Sequence, residues 1–211
     1  MKAAPLFGAL ALFVVLTPAF GQEAASQSRH SLALLGKKAQ PETAEKLLLA
    51  ARTKAKDQGK NLLVVFHASW CKWCKRLDAF MASPKFKQVF EDSFVTVHLT
   101  VDEREEKKAD ENPGADEVRE RLGGKEAGLP FFAILDAEGK MVANSLRPVE
   151  GKLNGENTGF PAAPEEVAHF VTMMRKGAPK ATAEQIKAIE EFLMQRPETV
   201  PPQPANKPPV S

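Results

Sequence analysis

A chain of 211 residues is long enough for one ordinary domain with extensions at its ends. Its formal net charge is +2 at pH 7, with 29 basic against 27 acidic side chains that are well mixed along the chain. No stripe of Arg and Lys interleaves with aromatic residues, so the composition gives no indication of nucleic-acid binding.

Residues 1–21 have the pattern of a signal peptide for export. Lys2 supplies a positive start, Leu6 to Leu16 form a short apolar core, and Ala19-Phe20-Gly21 place small residues before a cleavage site at Gln22. The apolar core is too short to span a bilayer comfortably, with a retained anchor as the alternative. We therefore predict a periplasmic or secreted protein without a stable membrane anchor after cleavage.

Residues 22–40 form a polar N-terminal extension, in which the apolar run Ser31 to Leu35 fits either an edge strand or a loose tether. After this extension, helical and strand patterns alternate along the chain. Pro41 to Gln58 has apolar residues at helical spacing, with Pro41 in the first turn. Asn61 to His67 is a continuous apolar run, which is typical of a central strand covered on both faces.

The middle of the chain predicts two helices, a second strand and a charged segment. The helix after the cysteines is interrupted at Ser83-Pro84, where Ser83 would cap a second helix with Pro84 in its first position. Phe94 to Val101 alternates as a strand does, and the helical crossover makes it parallel to the first strand. We interpret the charge-dense segment Asp102 to Asn112 as a solvated insertion, the alternative being a docking surface for a partner.

The last third predicts a short helix at Ala115 to Leu122 and a β-hairpin at Phe131 to Leu146. Arg147 to Ala163 is rich in Gly, Asn and Pro, and we predict a loop there. Two helices follow, Pro164 to Arg175 and Thr182 to Met194, the second opened by a capping box of Thr182 and Gln185.

After the extension, the chain is predicted to consist of three parts. Residues 41–176 form the main domain, residues 177–196 a C-terminal helix packed on it, and residues 197–211 a proline-rich tail that we expect to be disordered.

The only two cysteines, Cys71 and Cys74, form a C-x-x-C pair at the predicted turn from strand to helix. Cys71 would lie at the helix N-terminus, where free N–H groups and the helix dipole stabilise a thiolate, the reactive form of cysteine. We therefore predict thiol–disulfide exchange with Cys71 as the nucleophile and Cys74 as the resolving thiol. This hypothesis requires that a partner protein can reach Cys71.

Other roles for the cysteine pair fit the sequence less well. A disulfide between residues three apart closes a tiny loop and would restrict the unfolded chain little. A zinc site would need two more ligands, for which only four histidines are left. We expect no metal and no cofactor besides the dithiol, and an inert pair in a binding module remains the alternative.

The segment VVFHASWCKWCKRL resembles the active-site region of thioredoxin-like proteins, especially exported bacterial members with a W-C-x-W-C-K signature. Gly128-Leu129-Pro130, followed by an apolar strand, resembles the cis-proline motif that faces the cysteines in this family. The resemblance covers residues 40–176. It implies a thioredoxin-like α/β fold, with a mixed central sheet and helices on both faces.

The resemblance also implies roles for the neighbours of the cysteines. In proteins that resemble this one, the position of Trp70 forms an apolar surface beside the thiol, and simple packing is an alternative compatible with that role. By its own charge Lys72 would favour the thiolate, and by its bulk Trp73 would restrict the approach of partners. Pro130 would be cis, with a trans proline as the alternative, and the backbone of Leu129 would pair with a substrate strand.

Two features depart from the family pattern. The buried aspartate that thioredoxin carries six residues before the first cysteine is Val65 here, and its lysine partner corresponds to His98. His98 is a candidate proton carrier because histidine titrates near neutral pH, the alternative being a structural histidine. The dipeptide between the cysteines lacks the histidine of strongly oxidising members, which favours a reductase or an isomerase-like role.

Together these features predict an exported enzyme, a thiol–disulfide oxidoreductase that acts on protein disulfides or thiols and receives electrons from a partner protein. A non-catalytic thioredoxin-fold binding module or chaperone is the alternative from another class. A reductant for cytochrome maturation would share the chemistry and differ in its partner.

Overall fold

The computed structural model describes residues 40–195, all within one compact unit that begins at Gln40. The predicted signal peptide, the extension up to residue 39 and the predicted proline-rich tail lie outside the described residues. Within residues 40–195, no helix combines the length and the apolar character needed to cross a membrane.

A four-stranded mixed sheet with strand order β2-β1-β3-β4 forms the centre of the fold. Its strands are β1 (Asn61–His67), β2 (Phe94–Thr100), β3 (Phe131–Leu135) and β4 (Met141–Asn144). β1 pairs with β2 in parallel and with β3 in antiparallel, so it lies in the interior of the sheet. This position explains its continuous apolar sequence and confirms the predicted central strand.

Helices cover both faces of this sheet, as predicted for the fold class. They are α1 (Ala44–Gln58), α2 (Lys72–Met81), α3 (Lys87–Ser93), α4 (Ala115–Arg121), α5 (Pro164–Gly177) and α6 (Ala183–Met194), with a 3-10 helix at Glu105–Asp110. The capping box that opens α6 is formed by Thr182 and Gln185, as the sequence predicts.

Alternate side chains of β1 enter two separate apolar cores, because successive residues of a strand point to opposite faces. Leu62 and Val64 pack in the first core, with the buried face of α1 and with both cysteines. Leu63 and Val65 pack in the second core. Apolar residues of α2, α3, α5 and α6 fill that second core, including Leu77, Phe80, Val89, Phe170, Ile186 and Ile189.

Two predicted helix starts are wrong. α1 begins at Ala44 instead of Pro41, because Thr43 is the N-cap and its Oγ1 accepts a hydrogen bond from the Lys46 N–H. Ser83 does not cap α3, which begins at Lys87. The Ser83 carbonyl, rather than its hydroxyl, accepts from the N–H groups of Phe86 and Lys87, and this turn places the Phe86 ring in the core.

The predicted loop 147–163 is also wrong, because it contains most of a β-hairpin. β5 (Leu146–Val149) and β6 (Lys152–Asn157) pair in antiparallel as a separate two-stranded sheet. Gly151 makes the turn between them with a φ of 76°, and Glu156 of β6 is paired with Arg147 and Lys152. These polar strands lack the apolar alternation by which strands are recognised in a sequence.

Candidate active site

The two cysteines lie at the turn from β1 to α2 and are joined by a disulfide, with their Cα atoms 5.3 Å apart. Cys71 is the N-cap residue of α2, and its Sγ accepts a hydrogen bond from the Cys74 N–H at 3.1 Å. The sequence predicts this placement. A sulfur here lies against the unpaired N–H groups of a helix N-terminus, where negative charge on Cys71 is stabilised.

Both cysteines are largely covered by their surroundings. Cys71 is 3% exposed and Cys74 is 1% exposed. The exchange reaction predicted from the sequence requires that a partner reach Cys71, and in this disulfide form little of that residue is accessible.

Two tryptophans flank the disulfide, and each is held by a part of the chain distant in sequence. Trp70 is 38% exposed, and its Nε1 donates to the carbonyl of Asp102 at 2.6 Å. The Trp73 ring stacks on Phe160 with 6.2 Å between ring centroids, and the Arg76 guanidinium lies over both rings. Trp73 therefore has little freedom to move away from the disulfide. Lys72 is exposed.

The loop before β3 lies beside the end of β1. Phe131 of β3 pairs with Phe66 of β1, five residues before Cys71, so the β1–β3 register carries this loop to the cysteine edge of the sheet. The Leu129–Pro130 peptide bond is cis, and both residues are buried. The structure thus brings the two motifs of the sequence to the same end of the sheet.

Asn157, at the end of β6, is a site neighbour that the sequence analysis missed. Its Nδ2 donates to the carbonyls of Gly128 at 2.6 Å and Pro130 at 3.1 Å, and so ties the loop before β3 to the second sheet. Because we predicted a structureless segment there, no pattern in the sequence pointed to Asn157.

The charged segment 102–112 is exposed over residues 104–109, as predicted for a solvated insertion, but that prediction is wrong for the start of the segment. Glu103 is 7% exposed, and its carboxylate accepts from the Ser69 N–H at 2.5 Å and from the Ser69 hydroxyl at 2.8 Å. Asp102 accepts two hydrogen bonds from the Arg119 guanidinium, at 2.6 and 3.3 Å. The start of this segment therefore anchors the loop that leads into Cys71.

His98 lies on β2, where it pairs in register with Val65. Its Nε2 is 2.9 Å from Asp78 Oδ1, and among the hydrogen bonds of residues 40–195 none joins it to a cysteine. The ring of His67 meets the ring of His98 edge-on at 5.3 Å between centroids. Its role as a proton carrier stays a prediction.

The environment of His67 lowers its pKa below the ordinary value of 6.5. Burial is the main cause because it disfavours the charged imidazolium, and the charge of His98 acts in the same direction.

An open groove of about 840 Å³ runs past His98 and Asp78, along the side of β2 that also carries Thr96. Neither cysteine lines it, so the groove is distinct from the disulfide. Among residues 40–195, no group of three or more His, Cys, Asp or Glu side chains is arranged to hold a metal ion.

A mixed sheet with helices on both faces and a disulfide at a strand-to-helix turn defines a thioredoxin-like fold with a disulfide-forming C-x-x-C pair. Residues 43–137 match the family model described as thioredoxin-like. This match covers 95 of the 211 residues and includes both cysteines, the cis-proline and strands β1 to β3.

Comparison with solved structures finds likenesses at low sequence identity. The disulphide isomerase of Xylella fastidiosa Temecula1 is 16% identical over 85% of this chain and 97% of that chain, with a TM-score of 0.39. The oxidised C-terminal domain of Neisseria meningitidis DsbD is 21% identical over 53% of this chain and 89% of that chain, with a TM-score of 0.38. A thioredoxin from Thermus thermophilus is 22% identical over 53% of this chain and 79% of that chain, with a TM-score of 0.35.

A comparison with curated proteins finds no match. The identification therefore rests on the family match and on the geometry of the disulfide.

Proposed function

We propose that this protein is a thiol–disulfide oxidoreductase that acts on protein disulfides or thiols, as a reductase or isomerase rather than a strong oxidase. One observation carries this proposal: Cys71 Sγ sits at the N-cap of α2 and accepts the Cys74 N–H. The same contact stabilises the thiolate that starts an exchange reaction.

The proposed reaction starts from the reduced dithiol. The Cys71 thiolate attacks one sulfur of a substrate disulfide and bonds to it, while the substrate S–S bond breaks and the second sulfur leaves as a thiolate. The Cys74 thiolate then attacks Cys71 Sγ, forms the Cys71–Cys74 disulfide and releases the first substrate sulfur. The substrate thus gains two electrons. An electron-donor protein with its own dithiol must then reduce the Cys71–Cys74 disulfide back to the dithiol.

The other site residues have supporting roles in this proposal. Trp70, Lys72 and Trp73 form the surface around Cys71 that a partner contacts, and Lys72 adds a positive charge near the thiolate. The backbone of Leu129, before Pro130, pairs with an extended substrate segment.

Export to the periplasm or the exterior is part of the proposal and rests on the pattern of residues 1–21. An oxidising compartment supplies the protein disulfides that such an enzyme acts on.

Insulin reduction with dithiothreitol tests the activity. We expect the wild-type protein to accelerate insulin precipitation and the Cys71→Ser variant to give the rate of dithiothreitol alone, because the variant lacks the attacking sulfur. Equal rates for the two proteins would contradict the proposal.

A trapping experiment separates the enzyme from a binding module. The Cys74→Ser variant cannot resolve a mixed disulfide, so it should accumulate in cells as adducts that disappear on reduction. The double variant Cys71→Ser, Cys74→Ser is the matched control. Absence of such adducts from Cys74→Ser would favour a binding module.

A further inference from the structure

Asn157 connects the β5–β6 hairpin to the loop that carries Pro130. Its Nδ2 donates one hydrogen bond to the carbonyl of Gly128 and another to the carbonyl of Pro130. These two carbonyls lie on either side of Leu129. The residue proposed to pair with substrate therefore lies between two backbone groups that one side chain holds in place.

The orientation of the Asn157 amide is fixed by a second group. Its Oδ1 accepts from the Ser145 hydroxyl at 2.7 Å, and the Ser145 oxygen accepts from the Phe132 N–H at 3.0 Å. Ser145 is fully buried. The Nδ2 group must therefore face the loop, since its exchange with Oδ1 would set an oxygen against two carbonyls.

The segment after Asn157 contacts the other side of the site. Phe160, three residues further on, stacks on Trp73 between the two cysteines. One short stretch of chain thus supports both the loop before β3 and the dipeptide of the C-x-x-C pair, and it lies beyond the residues that match the family model.

We propose that Asn157 is a positioning residue of the substrate site. It holds the Leu129 peptide group in the orientation in which it hydrogen-bonds to the backbone of an extended protein substrate. This inference rests on the proposed oxidoreductase activity and adds to it a requirement for the β5–β6 hairpin in recognising protein disulfides.

The test compares a protein disulfide with a small one in the Asn157→Ala variant. Insulin uses the Leu129 backbone, whereas 5,5′-dithiobis(2-nitrobenzoate) is too small to pair with it and requires only Cys71. We expect KM for insulin to rise about three- to tenfold, as the loss of one hydrogen bond predicts, with kcat nearly unchanged. The single-turnover rate with the small disulfide should stay within about twofold of wild type, below the smallest change expected for a lost hydrogen bond.

Asn154→Ala is the matched control, because Asn154 is exposed on the same hairpin and makes no hydrogen bond of its side chain to the described residues. Asn154→Ala should leave unchanged both KM for insulin and the single-turnover rate with the small disulfide. Asn157→Asp is the second variant: it keeps the acceptor for Ser145 but sets a carboxylate oxygen against the carbonyls of Gly128 and Pro130, so KM for insulin should rise at least as much as in Asn157→Ala. Circular dichroism of each variant shows that it is folded before KM is compared.

Three outcomes would overturn the inference. An unchanged KM for insulin in both Asn157 variants, with wild type active, contradicts the positioning role and leaves the proposed function standing. An equal loss with both disulfides contradicts it as well, because it indicates damage to the cysteines themselves. A wild-type protein no faster than Cys71→Ser removes the proposed function and this inference together.

Discussion

At the scale of single residues, the lowered pKa of His67 predicts that the stability of the fold depends on pH. It lies at the end of β1, four residues before Cys71, and its pKa is lowered mainly by burial and secondly by the charge of His98. Asp78 and Glu103 act in the opposite direction without reversing the shift. Since the folded protein binds a proton at His67 less readily than the unfolded chain, protonation favours unfolding.

The sign of this effect gives a prediction for stability. The contribution of neutral His67 is fully present above pH 6.5 and is lost as the pH falls from there towards the lowered pKa. From about pH 7.5 to about pH 5, the free energy of unfolding of His67→Gln should therefore fall less than that of wild type, as measured by urea denaturation.

A second variant checks the cause of the shift. Removing the neighbouring charge in His98→Gln should raise the pKa of His67 towards its ordinary value, and an NMR titration of the His67 ring would follow this change. Parallel stability profiles for wild type and His67→Gln would show that folding does not lower the pKa of His67.

At the scale of elements, the corner after β2 controls the approach to α2. The Glu103 carboxylate accepts hydrogen bonds from the N–H and from the hydroxyl of Ser69. The carbonyl of the preceding residue, Asp102, accepts a hydrogen bond from the indole N–H of Trp70. Two consecutive residues of one turn thus hold two consecutive residues of the loop before Cys71. The loop has one turn of its own, in which the Cys71 N–H donates to the Ala68 carbonyl, and it is also held by contacts more than 30 residues away in sequence.

Glu103→Ala should lower the free energy of unfolding by about 1–3 kcal/mol, since it leaves the Ser69 N–H without an acceptor in a largely buried place. Glu103→Gln keeps an acceptor for the Ser69 N–H, so its free energy of unfolding should fall less than that of Glu103→Ala. Glu106→Ala, an exposed site in the same segment, is the control and should stay within about 0.5 kcal/mol of wild type. Urea denaturation gives all three values, and equal stabilities of Glu103→Ala and Glu106→Ala would refute the anchoring role.

The elements that the sequence predicts well are those determined by nearby residues. The apolar run of β1, the N-cap position of Cys71 and the capping box of Thr182 each depend on residues within a few positions, and the structure contains all three. Glu103 and Asn157 escaped prediction because their partners are distant in sequence: Ser69 is 34 residues from Glu103, and Gly128 is 29 residues from Asn157. In a sequence, a carboxylate within a charged run indicates solvent exposure, and only the folded chain shows its burial.

At the scale of the whole molecule, α2 is held by both apolar cores. Its first turn, with Cys74, packs in the first core, and its later turns, with Leu77 and Phe80, pack in the second. The Phe80 ring contacts Phe160, which stacks on Trp73, and Phe192 of the C-terminal helix. A continuous set of aromatic contacts therefore joins α6 to the dipeptide between the cysteines.

We therefore predict that α6 unfolds together with the sheet, although it lies beyond the residues that match the family model. Ile189 is 0% exposed in the second core, so Ile189→Ala should lower the free energy of unfolding by about 2–5 kcal/mol. Lys187→Ala, exposed on the same helix, should change it by less than about 1 kcal/mol, because a surface ion pair contributes little.

Whether the unfolding curves from different probes coincide is as informative as the midpoint of unfolding. If α6 unfolds together with the sheet, Trp fluorescence at the site and the far-UV circular dichroism of the helices should report one coincident transition for wild type and for Ile189→Ala. An early loss of helical signal with unchanged fluorescence would instead mean that α6 unfolds alone. In that case the aromatic contacts through Phe80 would not transmit the stability of the C-terminal helix to the cysteine pair.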